Sequence, residues 1–210
     1  LYYIAENLSA RAEEFARRSG KAEVEAAIAR AFHYAAWADK FDGRNVQGKP
    51  AHLVNVIPEP HGTIGIACPN DQPLAGFMSL VMPAIAMGNA VVAIPAEGDP
   101  LPVLDLYQVF DTSDLPGGVV NIVTGPKDDL ARVLAAHEDV AAMCYVGDRA
   151  GLAAVEKAAG GNLKPVWSPV HRDWTGGQAQ GRDFLRQATR IKTIWLPYGA
   201  LPAGTGSAAY

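Results

Sequence analysis

The chain has 210 residues, 49% of them hydrophobic, with a formal net charge of −4 and a pI near 5.7. This length limits the fold to one domain, or one domain with an appendage, and supplies enough apolar residues for a core. The charge offers no electrostatic basis for binding nucleic acid or anionic lipid. No apolar run reaches membrane length, and no signal peptide is visible. Two cysteines in a chain this long indicate a reducing compartment, so we expect a cytoplasmic location.

The first quarter of the chain is expected to form helices and then a strand. A helical pattern covers Tyr2–Arg18 and is broken by Ser19-Gly20, and a second helix is predicted from about Ala22 to Lys40. Lys49–Glu59 alternates as a half-exposed strand. The residues predicted to face inward are Leu8, Ala12 and Phe15 in the first helix, and Val24, Ile28, Ala31, Phe32 and Ala35 in the second.

A strand–helix–strand unit follows. Thr63–Ala67 is apolar and β-branched, as expected for a parallel strand buried on both faces. Pro69 and Pro73 bracket a turn, Gly88-Asn89 supplies a left-handed helix stop, and Ala90–Ile94 is a second buried strand. A crossover this short should be right-handed. The helix between the strands has an apolar stripe made of Leu74, Phe77, Met78, Val81 and Ile85.

The same alternation continues toward the C-terminus. Helices are predicted at Pro100–Phe110, Asp128–Ala136 and Arg149–Ala159, and strands at Val119–Val123 and Ala141–Val146. Regular alternation of this kind predicts an α/β fold with a doubly wound, mostly parallel sheet. In the helix at Asp128–Ala136, the residues predicted to face inward are Leu130, Val133 and Leu134.

Several motifs in this order resemble the aldehyde dehydrogenase superfamily. Pro69–Pro73 (PNDQP) is similar to the family's Pro-Trp-Asn-Phe-Pro turn, and Met82–Asn89 to its Ala-Pro-Ala-Leu-Ala-Ala-Gly-Asn helix end. Ile94–Glu97 (IPAE) is similar to Lys-Pro-Ala/Ser-Glu, and Leu115–Gly125 to Pro-Pro-Gly-Val-Val-Asn-Val-Val-x-Gly. Ala142–Val166 is similar to the strand, Phe-Thr-Gly-Ser turn and helix that follow. The resemblance implies the Rossmann-like NAD-binding fold of that superfamily.

The two ends of the chain extend the resemblance. Glu23–Gly43 is similar to the family's N-terminal helix, and Arg186–Gly199 to the last strand of its oligomerisation flap. The resemblance therefore implies a small β flap formed by residues near 49–59 and 186–199. It divides the chain into a cofactor-type domain (1–166, with 49–59 contributing to the flap), a linker (167–181) and a flap strand with tail (182–210).

The catalytic half of the family has no counterpart here. The family carries a general-base glutamate in Glu-Leu-Gly-Gly and a nucleophilic cysteine in Gly-Gln-x-Cys, within a domain that follows the cofactor domain. Here Trp167–Gly181 leads directly to the flap-like tail, and fifteen residues cannot hold a catalytic domain. Cys68 and Cys144 stand among apolar neighbours and are interpreted as buried hydrophobes. We assign no catalytic residue, and we expect this chain alone to be inactive.

Substitutions at two family positions argue against cofactor chemistry. Asp71 stands where the family's turn asparagine donates a hydrogen bond to the oxyanion, and an ionised carboxylate cannot donate. Ile94 replaces the lysine that contacts the adenosine ribose, whereas Glu97, the other ribose-contacting position, is retained. The resemblance thus implies a cofactor site that survives only in part.

The predicted phosphate-binding turn is altered as well. Asp148 follows Gly147 at the position of the family serine that faces the cofactor pyrophosphate. It is expected to cap the helix at Arg149–Ala159 and to repel a diphosphate. Vestigial contacts are left at Gly125 and Gly147, so we expect NAD to bind weakly or not at all, and no cofactor to be held.

Five scattered histidines without His-x-x-x-His or Cys-x-x-Cys spacing give no metal site, and the pair His171 and Asp173 lacks a nucleophile.

The C-terminal strand is the favoured functional feature. Ile191–Leu196 (IKTIWL) alternates along its length, ends at Pro197 and is expected to pair with Leu53–Ile57. Either it folds back onto its own domain or it carries an interface with a partner, and exposed apolar residues on an open edge favour the partner. The residues predicted at this interface are Lys192, Ile194, Trp195 and Leu196.

Three functional classes remain. The chain resembles the truncated C-terminal module of the two-part class of the superfamily, class sixteen, and would then dock on a catalytic aldehyde dehydrogenase domain or on a second copy. It is alternatively a weak nucleotide-binding or sensing module, or a fragment of a larger active enzyme. Because its first residue is Leu1 rather than Met, a longer polypeptide is expected.

Overall fold

The computed structural model describes residues 1–48, 52–169 and 173–197. Its helices and strands are numbered below in chain order. The helices are α1 (Tyr2–Ala10), α2 (Ala12–Ser19), α3 (Lys21–Trp37), α4 (Pro73–Ala86), α5 (Leu101–Leu104), α6 (Leu106–Asp111), α7 (Lys127–Ala136), α8 (Arg149–Ala159) and α9 (Arg182–Gln187). The strands are β1 (Arg44–Gln47), β2 (His52–Pro60), β3 (Thr63–Ala67), β4 (Ala90–Ile94), β5 (Val120–Ile122), β6 (Ala142–Tyr145), β7 (Val166–Trp167) and β8 (Thr189–Pro197).

The body of the molecule is a parallel sheet with strand order β5-β4-β3-β6-β7 in the described part of the chain. The α/β fold class with a mostly parallel sheet is therefore confirmed. Strands β3 and β4 have the predicted bounds, and Gly88 adopts the predicted left-handed backbone with φ +86°. β7, which pairs with β6, was not predicted because only two residues form it.

Helix α4 lies at the centre of the body, and its side chains are buried from Leu74 to Ala84. Its C-terminal end is held by Asn89, whose Nδ2 donates hydrogen bonds to the carbonyl oxygens of Ala84 (2.8 Å) and Ala188 (2.9 Å). Asn89 Oδ1 accepts a hydrogen bond from the Gly62 amide. One side chain therefore joins the end of α4, the start of β3 and the start of β8.

Four helical predictions need correction. The helix predicted over Tyr2–Arg18 is divided at Arg11, because α1 packs against α6 whereas α2 packs against α5. Phe32, predicted to face inward, is 36% exposed and contacts the Tyr2 ring edge-on, with centroids 5.3 Å apart. Val133 is 62% exposed, because the face of α7 that packs against the body carries Leu130, Ala131, Leu134 and Ala135 instead. The helix predicted at Pro100–Phe110 is likewise divided into α5 and α6.

The flap is a separate antiparallel sheet with strand order β1-β2-β8. Leu53–Ile57 pairs with Lys192–Leu196, as predicted, and the register places Leu53 opposite Leu196 and Val56 opposite Thr193. β1 was not predicted, since Arg44–Gln47 is mostly polar and becomes a strand by pairing with β2. Residues 49–51 of the predicted strand lie outside the described residues.

The segment between β7 and α9 is held to the body by Arg30, which is almost fully buried on α3. Its guanidinium donates to the carbonyl oxygens of Trp174 and Ala179, each at 3.2 Å, and to Gln180 Oε1 at 3.0 Å. Burial lowers the pKa of this guanidinium. The irregular connection predicted here is thus packed against the helical layer over residues 173–181, while His171 lies outside the described residues.

Acidification below about pH 6.5 is expected to destabilise this fold. Burial lowers the pKa of His33, with a further lowering by Arg30, and burial also lowers the pKa of His61. The unfolded chain, whose imidazoles have a pKa near 6.5, then binds more protons than the folded chain. The contribution of these two histidines to the free energy of unfolding should therefore be constant above about pH 7 and fall as the pH drops from about 6.5 through their lower folded pKa values.

The measurement is the urea midpoint between pH 8 and pH 5, compared with the variant His33→Gln with His61→Gln. The variant should lose less stability over this range. An equal loss in both proteins would show that groups other than these two histidines govern the pH dependence.

Candidate functional site: the carboxyl edge of the sheet and the flap

The carboxyl edge of the parallel sheet is where this fold class binds ligands. The strand order reverses at β3, since β4 and β5 extend the sheet on one side of it and β6 and β7 on the other. A crevice at such a switch point is the expected ligand position. Helices α4, α7 and α8 all begin at this edge, and their free amide groups would suit an anion.

The start of α8 is occupied by Asp148, as predicted. Its Oδ1 accepts a hydrogen bond from the Gly151 amide at 2.7 Å, so it is the N-cap of the helix. The Tyr145 side chain lies against Gly147 and Gly151 so closely that a β-carbon at either glycine would overlap its hydroxyl. That hydroxyl donates to Asp128 at 2.7 Å. The protein's own groups therefore fill the turn that follows β6.

The starts of α4 and α7 also face carboxylates of the protein. Glu23, buried on α3, accepts a hydrogen bond from the Leu74 amide at 2.7 Å, and burial raises the pKa of its carboxyl group. Glu97 accepts from the Lys127 amide at 3.3 Å. Sequence reasoning missed Glu23, because it reaches α4 from a helix fifty residues away. All three potential anion sites thus already bond a carboxyl group of the protein, which opposes diphosphate binding.

Lys127 extends across the same edge. Lys127 is almost fully buried. Its Nζ donates a hydrogen bond to the Val146 carbonyl oxygen at 2.9 Å. The same Nζ lies 5.9 Å from the centre of the Tyr145 ring. It therefore joins the start of α7 to the end of β6. Gly125, two residues earlier, has φ +154° and borders a surface cleft with Glu97.

The turn that carries Asp71 is covered from one side. Asp71 itself is exposed, but the adjacent Gln72 accepts hydrogen bonds from the amides of Trp174 (2.6 Å) and Thr175 (3.2 Å). Gln72 also donates to Asp173 Oδ1 at 3.0 Å. The segment that follows β7 therefore lies on the turn where the family's oxyanion donor stands.

The other candidate residues at this edge are buried and offer no reactive group. The Ile94 side chain is 1% exposed and belongs to an apolar cluster that includes Ala67 and Met143. Cys68 and Cys144 are buried, as predicted, and burial raises the pKa of the Cys68 thiol to about 12 and that of Cys144 even further. A thiolate at either position is disfavoured near neutral pH, which removes both as nucleophiles.

The flap presents apolar side chains to solvent. Ile191 is 61% exposed and Trp195 is 53% exposed on one face of the strand, and Leu196 and its cross-strand partner Leu53 are exposed on the other. Ile194 is half-buried, and Lys192 forms an ion pair with Glu59 at 3.0 Å. The predicted interface residues therefore lie together on an ordered strand, and their role as an interface stays a prediction.

The described residues contain neither a metal-binding cluster nor a membrane-spanning helix. No group of three or more His, Cys, Asp or Glu side chains in residues 1–48, 52–169 and 173–197 is placed to hold a metal ion. No helix in the same ranges has the length and apolar character needed to cross a bilayer.

Replacing Asp148 with alanine is expected to lower the free energy of unfolding by about 1 kcal/mol, because the cap on α8 is lost. Asp148→Asn is the matched control, since its side-chain oxygen can still accept from Gly151. Urea unfolding measures the difference. Equal stability of the alanine and asparagine variants would show that the cap contributes nothing.

Comparison with known proteins assigns the family. The family model for the aldehyde dehydrogenase family matches residues 4–169, and the chain belongs to that family. It is 38% identical over 135 residues to a mitochondrial benzaldehyde dehydrogenase from Antirrhinum majus, covering 64% of this chain and 25% of the relative. It is 32% identical over 178 residues to an aldehyde dehydrogenase from Alternaria alternata, covering 84% and 35%.

Solved structures agree with the fold. A putative aldehyde dehydrogenase from Burkholderia cenocepacia superimposes with a TM-score of 0.76 at 29% identity, covering 80% of this chain and 37% of that one. PnpE from Pseudomonas sp. WBC-3 gives 0.76 at 26% identity with the same coverage. The chain thus spans about a quarter to a third of the length of the curated relatives it matches.

Proposed function

We propose that this chain is a non-catalytic assembly module of an aldehyde dehydrogenase. Its α/β body would hold the flap in place, and the flap would dock on a catalytic aldehyde dehydrogenase domain of the same polypeptide or on a second subunit. The resemblance to the truncated C-terminal module of class sixteen is part of this proposal, as is a cytoplasmic location. Neither nucleic acid nor membrane is a proposed partner.

The observation that carries the proposal is the flap itself. β8 is a nine-residue strand at the edge of its sheet, and it exposes Ile191, Trp195 and Leu196. Large apolar side chains on an open strand edge promote association and are normally covered. Tryptophan is also the residue type most often found to dominate interface energies. We propose Lys192, Ile194, Trp195 and Leu196 as the contact residues.

The carboxyl edge of the sheet supports the non-catalytic part of the proposal. Glu23, Glu97 and Asp148 occupy the helix starts, and both cysteines are buried. A vestigial cofactor site at Ile94, Glu97, Gly125, Gly147 and Asp148 would then hold no NAD. The degraded oxyanion position at Asp71 accords with this.

Two alternatives remain. The surface cleft bordered by Ala96, Glu97, Gly125 and Pro126 favours a weak nucleotide-binding or sensing module as the second candidate. The chain's share of its relatives' length favours a fragment of a larger, active NAD-dependent enzyme as the third.

Replacing Ile194 with aspartate and Trp195 with serine should abolish assembly while the body stays folded. The two substitutions place a charge and a small polar group on the exposed strand, which removes apolar contact area with the partner. The measurement is the sedimentation mass of the chain, alone and mixed with a full-length aldehyde dehydrogenase of the family, together with thermal unfolding.

The matched control is Leu163→Asp with Val133→Ser, which changes two exposed apolar residues of the body. It should leave the mass unchanged. An unchanged mass for the flap variant would refute the interface. Loss of the unfolding transition would mean that β8 belongs to the core instead.

The purified chain should form no NADH above blank from aldehydes and NAD. Neither cysteine can readily form a thiolate, and the catalytic motifs are missing from the sequence. Absorbance at the NADH band measures turnover, and titration calorimetry measures NAD binding. Turnover that disappears in Cys68→Ala or Cys144→Ala, or NAD binding in the low micromolar range, would contradict this prediction.

A further inference from the structure

The pattern of prolines in the flap indicates which backbone groups of β8 face outward. Pro58 and Pro60 on β2 and Pro197 on β8 lack an N–H group. In the observed register all three fall in the same alternating set of residue pairs, which also contains Val56 opposite Thr193. Alternate pairs of an antiparallel ladder are hydrogen-bonded, so proline favours the set that is not.

A second observation agrees with this assignment. A β-carbon on Gly43, just before β1, would lie 2.5 Å from the Val56 carbonyl oxygen. The Val56 carbonyl group therefore points toward the β1 side of β2 and away from β8. Thr193, opposite Val56, consequently directs its own N–H and C=O groups to the outer edge of the flap. The same holds for Ile191 and Trp195, two residues to either side.

The outer edge of β8 is self-complementary in one register. If two β8 strands pair in antiparallel fashion with the two-fold axis at Thr193, Ile191 of each lies opposite Trp195 of the other. These are the two most exposed large apolar residues of the strand, and pairs of an aromatic with a β-branched side chain are favourable across strands. Each such pair would exchange two backbone hydrogen bonds.

The charges on β8 are compatible with this register and disfavour an axis nearer the start of the strand. With the axis at Thr193, Lys192 lies opposite Ile194 and Arg190 opposite Leu196, so that no two cations face each other. Moving the axis to Lys192 would place the two lysines directly opposite, which is unfavourable. A shift by a single residue in one strand would instead pair outward-facing with inward-facing backbone groups.

We infer that the flap recognises a second copy of this chain by antiparallel β8–β8 pairing centred on Thr193, which joins two flaps into one continuous sheet. The inference rests on the proposed assembly function and adds to it the partner, the edge used and the register. A two-fold, isologous contact of this kind closes after two copies and does not propagate.

Charge substitution at the axis tests the inference. Thr193 is exposed, and its backbone groups are not those that bond β2, so a new side chain should be tolerated there. Thr193→Lys and Thr193→Asp should each halve the sedimentation mass, because like charges would meet at the axis. An equimolar mixture of the two variants should recover the wild-type mass. Asn45→Lys, on the opposite edge strand β1, is the matched control and should stay paired.

A disulfide provides an independent readout. Thr193→Cys should form a covalent dimer under mild oxidation, since directly opposed residues in a sheet lie within the range that a disulfide spans. The two native cysteines are buried and should not contribute. Asn45→Cys should remain monomeric on denaturing gels.

Three outcomes would overturn the inference. They are a wild-type chain that sediments as a monomer, Thr193 variants that keep the wild-type mass, and a mixture that stays monomeric. If the Thr193 variants keep that mass but Ile194→Asp with Trp195→Ser loses it, the flap is an interface and the edge pairing is wrong. The failure of the inference is then distinct from the failure of the proposed function.

Discussion

Replacing Arg30 with alanine is expected to lower the free energy of unfolding by about 3–5 kcal/mol. The guanidinium satisfies carbonyl groups of the segment 173–181, and its Nε also donates to Ser79 Oγ at 3.2 Å. Alanine would leave several buried acceptors without a donor, each costing about 1–3 kcal/mol, together with a cavity. Urea unfolding at pH 7 gives the difference.

Two control variants test whether the lost hydrogen bonds cause the loss of stability. Arg186→Ala removes an exposed arginine of α9 and should change stability by no more than about 0.5 kcal/mol. Arg30→Lys keeps the charge but not the planar set of donors, so it should recover only part of the loss. A loss below about 1 kcal/mol in Arg30→Ala would mean that the segment 173–181 contributes little to the fold.

Replacing Trp174 with alanine is expected to lower the free energy of unfolding by about 3–5 kcal/mol as well. Trp174 is almost fully buried and packs near Gly76 of α4, while its amide donates to Gln72. Trp195→Ala on the flap is the matched control, because that ring is half exposed and its loss should affect the unfolding of the body much less.

The two substitutions should not be additive. Arg30 bonds the Trp174 carbonyl, so the loss of either residue frees the same segment. The double variant should therefore lose less stability than the two single losses combined, by roughly 0.5–3 kcal/mol. Full additivity would indicate that the two residues stabilise separate parts of the chain.

Much of the fold could be predicted from sequence because its signals are local. The buried strands β3 and β4 are continuous apolar runs, and Gly88 marks the left-handed end of the α4 segment. The division of the first helix at Arg11 could not be predicted, because it depends on which neighbours α1 and α2 contact. The exposure of Val133 likewise depends on which face of α7 packs against the body.

The candidate site shows the same distinction between local features, which sequence predicts, and long-range contacts, which it does not. The Asp148 cap was predictable, since an aspartate directly before a helix has a local meaning. The contacts of Glu23 with α4, of Lys127 with Val146 and of Arg30 with the segment 173–181 join residues far apart in sequence. A single sequence contains no pattern that specifies such contacts, so only the structure reveals that the carboxyl edge is filled.

The short outer strands of the parallel sheet affect how the protein avoids aggregation. β7 has two residues, preceded by Pro165 and followed two positions later by Pro169, so it offers little to an incoming strand. At the opposite edge, the Ile122 amide of β5 already donates to the Tyr107 hydroxyl at 2.8 Å. Neither edge can readily recruit a foreign strand, which leaves β8 as the long open edge in the described part of the chain. Growth of the body's sheet by strand addition is thereby disfavoured, and in the proposed assembly the flap is the part of the described chain that would accept a partner strand.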